Sequence, residues 1–268
     1  MITAMISRKG GVGKTTSAVN LAAALAAQGL RVLLVDLDSQ AAASFSLGVD
    51  RVDLAPSSAD VLLGGLRAGE AVRRTAIPGL SLITASVDLI RAESELAVFR
   101  GKEARLRGAL SPIAREYDFI FIDCPPSLSL LPVNAVVAAD AFVVPVVPQF
   151  LAVTGMRNLI ASAERAAWDN GTRVRPLGLL LTMVDYRIKS TRRWVDELRT
   201  EHGNLVFAIE IRINTRLAEA PAAGQTIFQY DSHATGAEAY RLLAEEFVMR
   251  AQPQPVEPYA SSDVETPR

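Results

Sequence analysis

The stretch Lys9-Gly10-Gly11-Val12-Gly13-Lys14-Thr15-Thr16 lies between an apolar run at residues 2–6 and an Ala- and Leu-rich segment at 15–27. It therefore reads as the turn from a buried strand into a helix. Glycine lets the backbone close around an anion, so that its N–H groups and the positive end of the helix surround phosphate oxygens. Lys14 can then reach the terminal phosphates, and the Thr15 hydroxyl is placed for Mg²⁺. A glycine-rich turn with no ligand is the competing reading, and it gives the adjacent Lys14 and Thr15 no task. The general form of such a loop opens with glycine where this chain has Arg8, and here it carries an additional lysine, Lys9.

Outward from the loop, apolar runs at residues 32–35, 80–83, 119–122, 141–147 and 177–181 read as further strands, with a shorter one at 205–209. Helical spacing or high Ala and Leu content falls between them, at 15–27, 102–116, 155–170, 191–201 and 236–250. Strands alternating with helices predict a doubly wound α/β fold, a mostly parallel sheet with helices on both faces. Half of the 268 residues are apolar, enough for one large core over residues 1–250. From 251 to 268 the Pro-rich, acidic sequence predicts a disordered tail. Residues 49–59, 186–190 and 217–231 read as loops. The single cysteine, Cys124, excludes an internal disulfide, and no Cys/His set has zinc spacing. No apolar run approaches the roughly 18 residues of a membrane span. With 28 Lys and Arg against 29 Asp and Glu, any nucleic-acid contact must be a local patch. These features predict a soluble, cytoplasmic protein.

Asp123 ends the apolar run 119–122 and suits a carboxylate that holds Mg²⁺ through water, although a single acid after a strand is more often a turn residue. After the second strand come Asp36, Asp38, Ser39 and Gln40. Here the chain resembles the ParA/MinD family of deviant Walker A ATPases, P-loop NTPases whose motif KGGVGKTT is matched from Lys9 to Thr16. The DCPPS run from Asp123 to Ser127, the DLDSQ segment from Asp36 to Gln40, NTRLAEAP from Asn214 to Pro221 and GAEAY from Gly236 to Tyr240 are similar to that family as well. Together they span nearly all of the chain but the tail.

The resemblance implies ATP and Mg²⁺ as cofactors. It implies that Lys9 reaches the nucleotide of a second subunit, that Lys14 serves the bound triphosphate, and that Asp38 orients the attacking water and stands with Thr15 and Asp123 at the metal. Asp36 would then be structural, Asn214 would contact adenine, and residues 145–152 would feed the dimer interface. One departure is Arg212, where the family has the proline of its adenine pocket.

Arg187, Lys189, Arg192, Arg193 and Arg199 crowd residues 186–199, facing only Asp196 and Glu197. A solvated helix face explains such a run by itself. Arg187 and Arg216, however, match positions where ParA-type proteins place DNA-contacting arginines. The resemblance thus implies nonspecific DNA binding through Arg187 and Arg216, with Lys189, Arg192 and Arg193 as weaker candidates, by an ATP-dependent homodimer on the nucleoid. It also implies a cargo to be positioned and a ParB-like or adaptor partner that stimulates hydrolysis. A membrane-bound MinD-like protein would need a basic amphipathic C-terminal helix, which the tail does not offer. A dethiobiotin-synthetase-like ligase is the other alternative, opposed by Lys9 and by the segment from Asn214 to Pro221.

Overall fold

The structure is a computed structural model that describes residues 1–127 and 129–252, without the side chains of 150–154. Its elements in chain order are β1 (Ile2–Met5), α1 (Lys14–Ala27), β2 (Val32–Asp36), α2 (Ala42–Ser46), α3 (Ser58–Leu63), α4 (Ala68–Ala71), β3 (Arg73–Arg74), β4 (Leu80–Ile83), α5 (Asp88–Leu96) and α6 (Arg105–Leu110). They continue as β5 (Phe119–Asp123), α7 (Leu130–Ala138), β6 (Ala141–Val146), α8 (Phe150–Asp169), β7 (Arg175–Leu181), α9 (Lys189–His202), α10 (Thr215–Glu219), α11 (Ile227–Tyr230) and α12 (Thr235–Ala251). Seven strands form one sheet in the order β3-β4-β2-β5-β1-β6-β7. Every pairing is parallel except that of the two-residue edge strand β3 with β4.

The period of two along each strand explains the two cores. In β2, Leu33 and Val35 pack into a cluster with α3, α5, α6, α7 and α8, whereas Val32 and Leu34 join α1 and α12 on the other face. Strand β5 splits in the same way, with Ile120 and Ile122 on one side and Phe121 on the other. Both faces are thus covered, as a parallel sheet requires. The alanines of α1 let it lie close to the sheet, and α12 covers it, joined by a buried contact of 3.1 Å between the Ser17 hydroxyl and the Tyr240 hydroxyl.

Three expected elements are corrected, the first being the loop expected at 217–231, which holds the end of α10, a 3₁₀ turn at 220–223 and α11. Residues 205–209 form no ladder strand; only Val206 bridges Leu179. The Phe207 N–H still donates to the Leu179 carbonyl at 2.9 Å, but most neighbouring groups bond to side chains: Arg250 donates to the carbonyls of Asn204 and Val206 at 2.9 Å, and Glu246 accepts from the N–H groups of Ala208 and Ile209 at 2.8 and 3.0 Å. Residues 102–116 are not one helix but α6 between two short 3₁₀ turns. Pro112 lacks the N–H that would continue it, and Asn134 accepts the Leu106 N–H at 3.1 Å near the start of α6. Of the tail expected from 251, Ala251 instead ends α12, and residues 253–268 lie outside the described residues.

Candidate nucleotide site

The parallel register aligns Met5 with Asp123, and Asp36 with Asp123, so the C-terminal ends of β1, β2 and β5 meet at one edge of the sheet. Ligands of open α/β sheets bind at that edge. The loop after β1 turns there through Gly11 and Gly13, whose φ angles of 71° and 75° lie in the left-handed region that side chains disfavour. Gly13 caps the 14-residue α1 and leaves the helix N-terminus open to an anion. The Thr182 hydroxyl, just past β7, donates to the Val12 carbonyl at 2.8 Å and fastens the loop to the sheet. Met183, the next residue, has φ of 50°, a left-handed conformation that costs a residue with a side chain roughly 1–2 kcal/mol.

The two loop lysines have separate environments. Lys14 is 6% exposed, and its Nζ donates to Asp123 Oδ1 at 2.8 Å. Burial opposes its charge, but the Asp123 carboxylate outweighs burial and holds the lysine pKa above its usual value. Lys9 is exposed at the lip of a cavity of about 510 Å³ lined by Val144, Val146, Met156 and Leu159. Among the described residues no side chain binds its ammonium.

The Thr15 hydroxyl donates to the second Asp123 oxygen at 2.7 Å. A hydroxyl and a carboxylate side by side are the hard oxygen donors that suit Mg²⁺, so these residues fit the implied metal. Asp38 is half-buried at the mouth of the site, where its charge acts on both Lys14 and Asp123, and its Oδ1 accepts the Gln40 N–H at 3.0 Å. The structure therefore brings Lys14, Thr15, Asp38 and Asp123 together. Cys124 is buried, and burial pushes its thiol far above the usual range, in keeping with a packed, unreactive residue.

Asp36 is fully buried and structural in its contacts. It accepts the Ser44 N–H at 2.9 Å, the Ser44 hydroxyl at 2.8 Å and the Asp38 N–H at 3.1 Å. Burial, reinforced by the charge of Asp123, pushes its pKa up to about 7. A carboxyl with a higher pKa folded than unfolded stabilises the fold while both forms stay protonated, and that contribution is lost as pH rises from about 4 to about 7. The nucleotide-free protein should therefore show a thermal midpoint that falls across this window, with Asp36→Asn flattening the fall. Parallel pH profiles for the two proteins would rule the titration out. Ser44 was not foreseen, since it sits eight residues from Asp36 on a separate short helix.

Asn214 lies beyond the loop, at the start of α10. Its Oδ1 accepts the Leu217 N–H at 3.3 Å and its Nδ2 donates to the Thr235 hydroxyl at 2.8 Å. It shares a cavity of about 740 Å³ with Tyr186, Arg187, Arg212 and Arg216. The residue expected at adenine and the two principal arginines of the expected DNA patch thus line one depression. Lys189, Arg192 and Arg193 are exposed on the first turns of the neighbouring α9.

Most of the chain is similar to proteins of known name. A family model described as an AAA domain matches residues 1–171. The chromosome-partitioning ATPase Soj of Thermus thermophilus is 43% identical over 251 residues, covering 93% of this chain and 96% of its own. The chain belongs to the ParA/Soj family of partitioning ATPases. The chromosome partitioning protein ParA of Caulobacter vibrioides is 40% identical, over 93% of this chain and 94% of its own. Among solved structures, cobyrinic acid a,c-diamide synthase of Mycobacterium smegmatis with a bound ATP analog and magnesium is similar at a TM-score of 0.76 and 34% identity, covering 91% of this chain and 92% of that one. ParA/Soj membership accounts for the doubly wound sheet and for the loop at its edge. Among the described residues no helix is long and apolar enough to cross a membrane.

Proposed function

We propose that this ParA/Soj-type ATPase binds Mg·ATP, closes into a homodimer over two nucleotides, and in that form holds nonspecific double-stranded DNA while positioning a cargo on the nucleoid. Hydrolysis, stimulated by a ParB-like or adaptor protein, dissolves the dimer. The observation that carries this reading is the division of labour within one loop. Lys14 is committed to the chain's own site by Asp123, whereas Lys9 extends from the lip with no counter-ion among the described residues. A second triphosphate brought across the apolar cavity beside it would supply one.

Within a site, Lys14 binds terminal phosphates, Thr15 and Asp123 hold Mg²⁺, and Asp38 orients the water. The metal ion, when bound, neutralises phosphate charge; phosphoryl transfer needs little beyond that and correct positioning. A MinD-like protein would share this loop but would need a basic amphipathic C-terminal helix, which the tail sequence does not offer.

The test is the mass of the protein in solution with Mg·ATP, in an Asp38→Ala background that blocks turnover. The expected result is a dimer that becomes monomeric on Lys9→Ala, with nucleotide affinity changed by only a few fold. Light scattering and titration calorimetry on the same samples read both. A monomer at saturating Mg·ATP with Lys9 intact would refute the proposal. Two unrelated DNA duplexes should bind the dimer equally, since phosphate contacts carry no sequence.

A further inference from the structure

Among the cations of the expected DNA patch, the two principal ones, Arg187 and Arg216, are internally neutralised. Arg187 makes two hydrogen bonds of 2.8 Å to the two oxygens of Asp185, with a third contact from its own N–H to the same carboxylate at 3.0 Å. Arg216 donates to Glu219 at 2.9 Å and lies 3.6 Å from Asp231. Each must surrender a carboxylate before it can serve a phosphate.

Arg212 and Arg192 differ. Both are exposed, and among the described residues neither forms an ion pair with any Asp or Glu. Their guanidinium carbons lie over one ring, that of Tyr186, at 5.4 and 5.9 Å from its centroid. Tyr186 is itself fixed. Its hydroxyl donates to Glu210 at 2.8 Å, and Glu210 is held by Arg199 at 2.8 Å, which also satisfies that carboxylate's charge. A guanidinium resting on an aromatic face keeps its planar row of N–H donors free for a phosphate.

We propose that Arg212 and Arg192, presented on the Tyr186 ring, are the principal phosphate-binding residues of this chain, and that Asp185, Glu219 and Asp231 restrain Arg187 and Arg216 in the absence of DNA. This deepens the DNA-binding reading above and rests on it. Arg212 adds the patch's missing member, and Tyr186 acts as a positioning residue through both arginines.

The experiment measures the affinity of the Mg·ATP-bound Asp38→Ala protein for a duplex of arbitrary sequence, over a series of salt concentrations. Dimer mass is recorded on every sample. Arg212→Ala should weaken binding by on the order of tenfold and lower the slope of log K against log salt by about 2, one phosphate per protomer at about 0.9 each. Arg192→Ala should act in the same direction. Tyr186→Phe should retain most of the affinity and Tyr186→Ala should not, while Asp185→Asn should raise it by releasing Arg187. Unchanged affinity and slope for Arg212→Ala and Arg192→Ala, with binding lost in Arg187→Ala and Arg216→Ala, would overturn the assignment and leave the DNA reading intact. No binding by the unmutated patch at low salt would remove the DNA reading itself.

Discussion

Lys14→Ala should abolish Mg·ATP binding and lower stability near neutral pH by about 3 kcal/mol, the scale for removing one partner of a buried ion pair. Both consequences have one origin. The ammonium offered to a triphosphate is, in the empty protein, the counter-ion of the fully buried Asp123, with Asp36 buried alongside at the same level of the sheet. Alanine leaves the buried Asp123 without its counter-ion, beside a second buried carboxyl. The stability loss should shrink at acidic pH, where Asp123 can take up a proton instead. It should also largely disappear in Lys14→Ala combined with Asp123→Asn, although nucleotide binding stays lost. Chemical denaturation at two pH values with calorimetry measures all of this; a Lys14→Ala protein that binds Mg·ATP within a few fold of the parent would contradict the assignment of Lys14.

The second large effect is expected at Asp38. Asp38→Ala should slow hydrolysis by about 10²–10⁴ fold, the range for losing a positioned group that handles the proton of an attacking water. Its effect on nucleotide affinity should stay within a few fold. Asp38 is half-buried, and the hydrogen bond its carboxylate accepts from the Gln40 N–H shapes the local turn and not the phosphate loop. The outcome should therefore be an ATP-loaded dimer that persists. Single-turnover kinetics with labelled ATP decides it, and an unchanged rate would transfer the role away from Asp38.

Much of the site could be read along the chain because its parts are local. KGGVGKTT combines strand, turn and helix start within a few residues, and Asp123 ends an apolar run whose alternation matches its two-faced burial. The contacts that make these parts work are distant. Lys14 and Asp123 are 109 positions apart, and no periodicity links them. Ser44, which satisfies Asp36, sits on a five-residue helix too short for a pattern. Strand-like residues 205–209 are misleading because apolar content does not reveal that Arg250 and Glu246, some forty residues later, take most of the backbone groups a longer ladder would use. Helix α7 was concealed by Pro132, which reads as a breaker although the first turn of a helix tolerates proline. The charge run on α9 showed cations but not their partners, so Arg187 and Arg212 could not be ranked before the carboxylates around them were placed.

The left-handed Met183 gives the molecule a mechanical connection. The residue before it grips the phosphate loop through Val12, and three residues after it stands Tyr186, on which the free arginines rest. One short strap with a left-handed link thus joins the phosphate loop to the cationic surface. A nucleotide that repositions the loop would pull on the ring and its arginines directly, with no helix required to rotate between them.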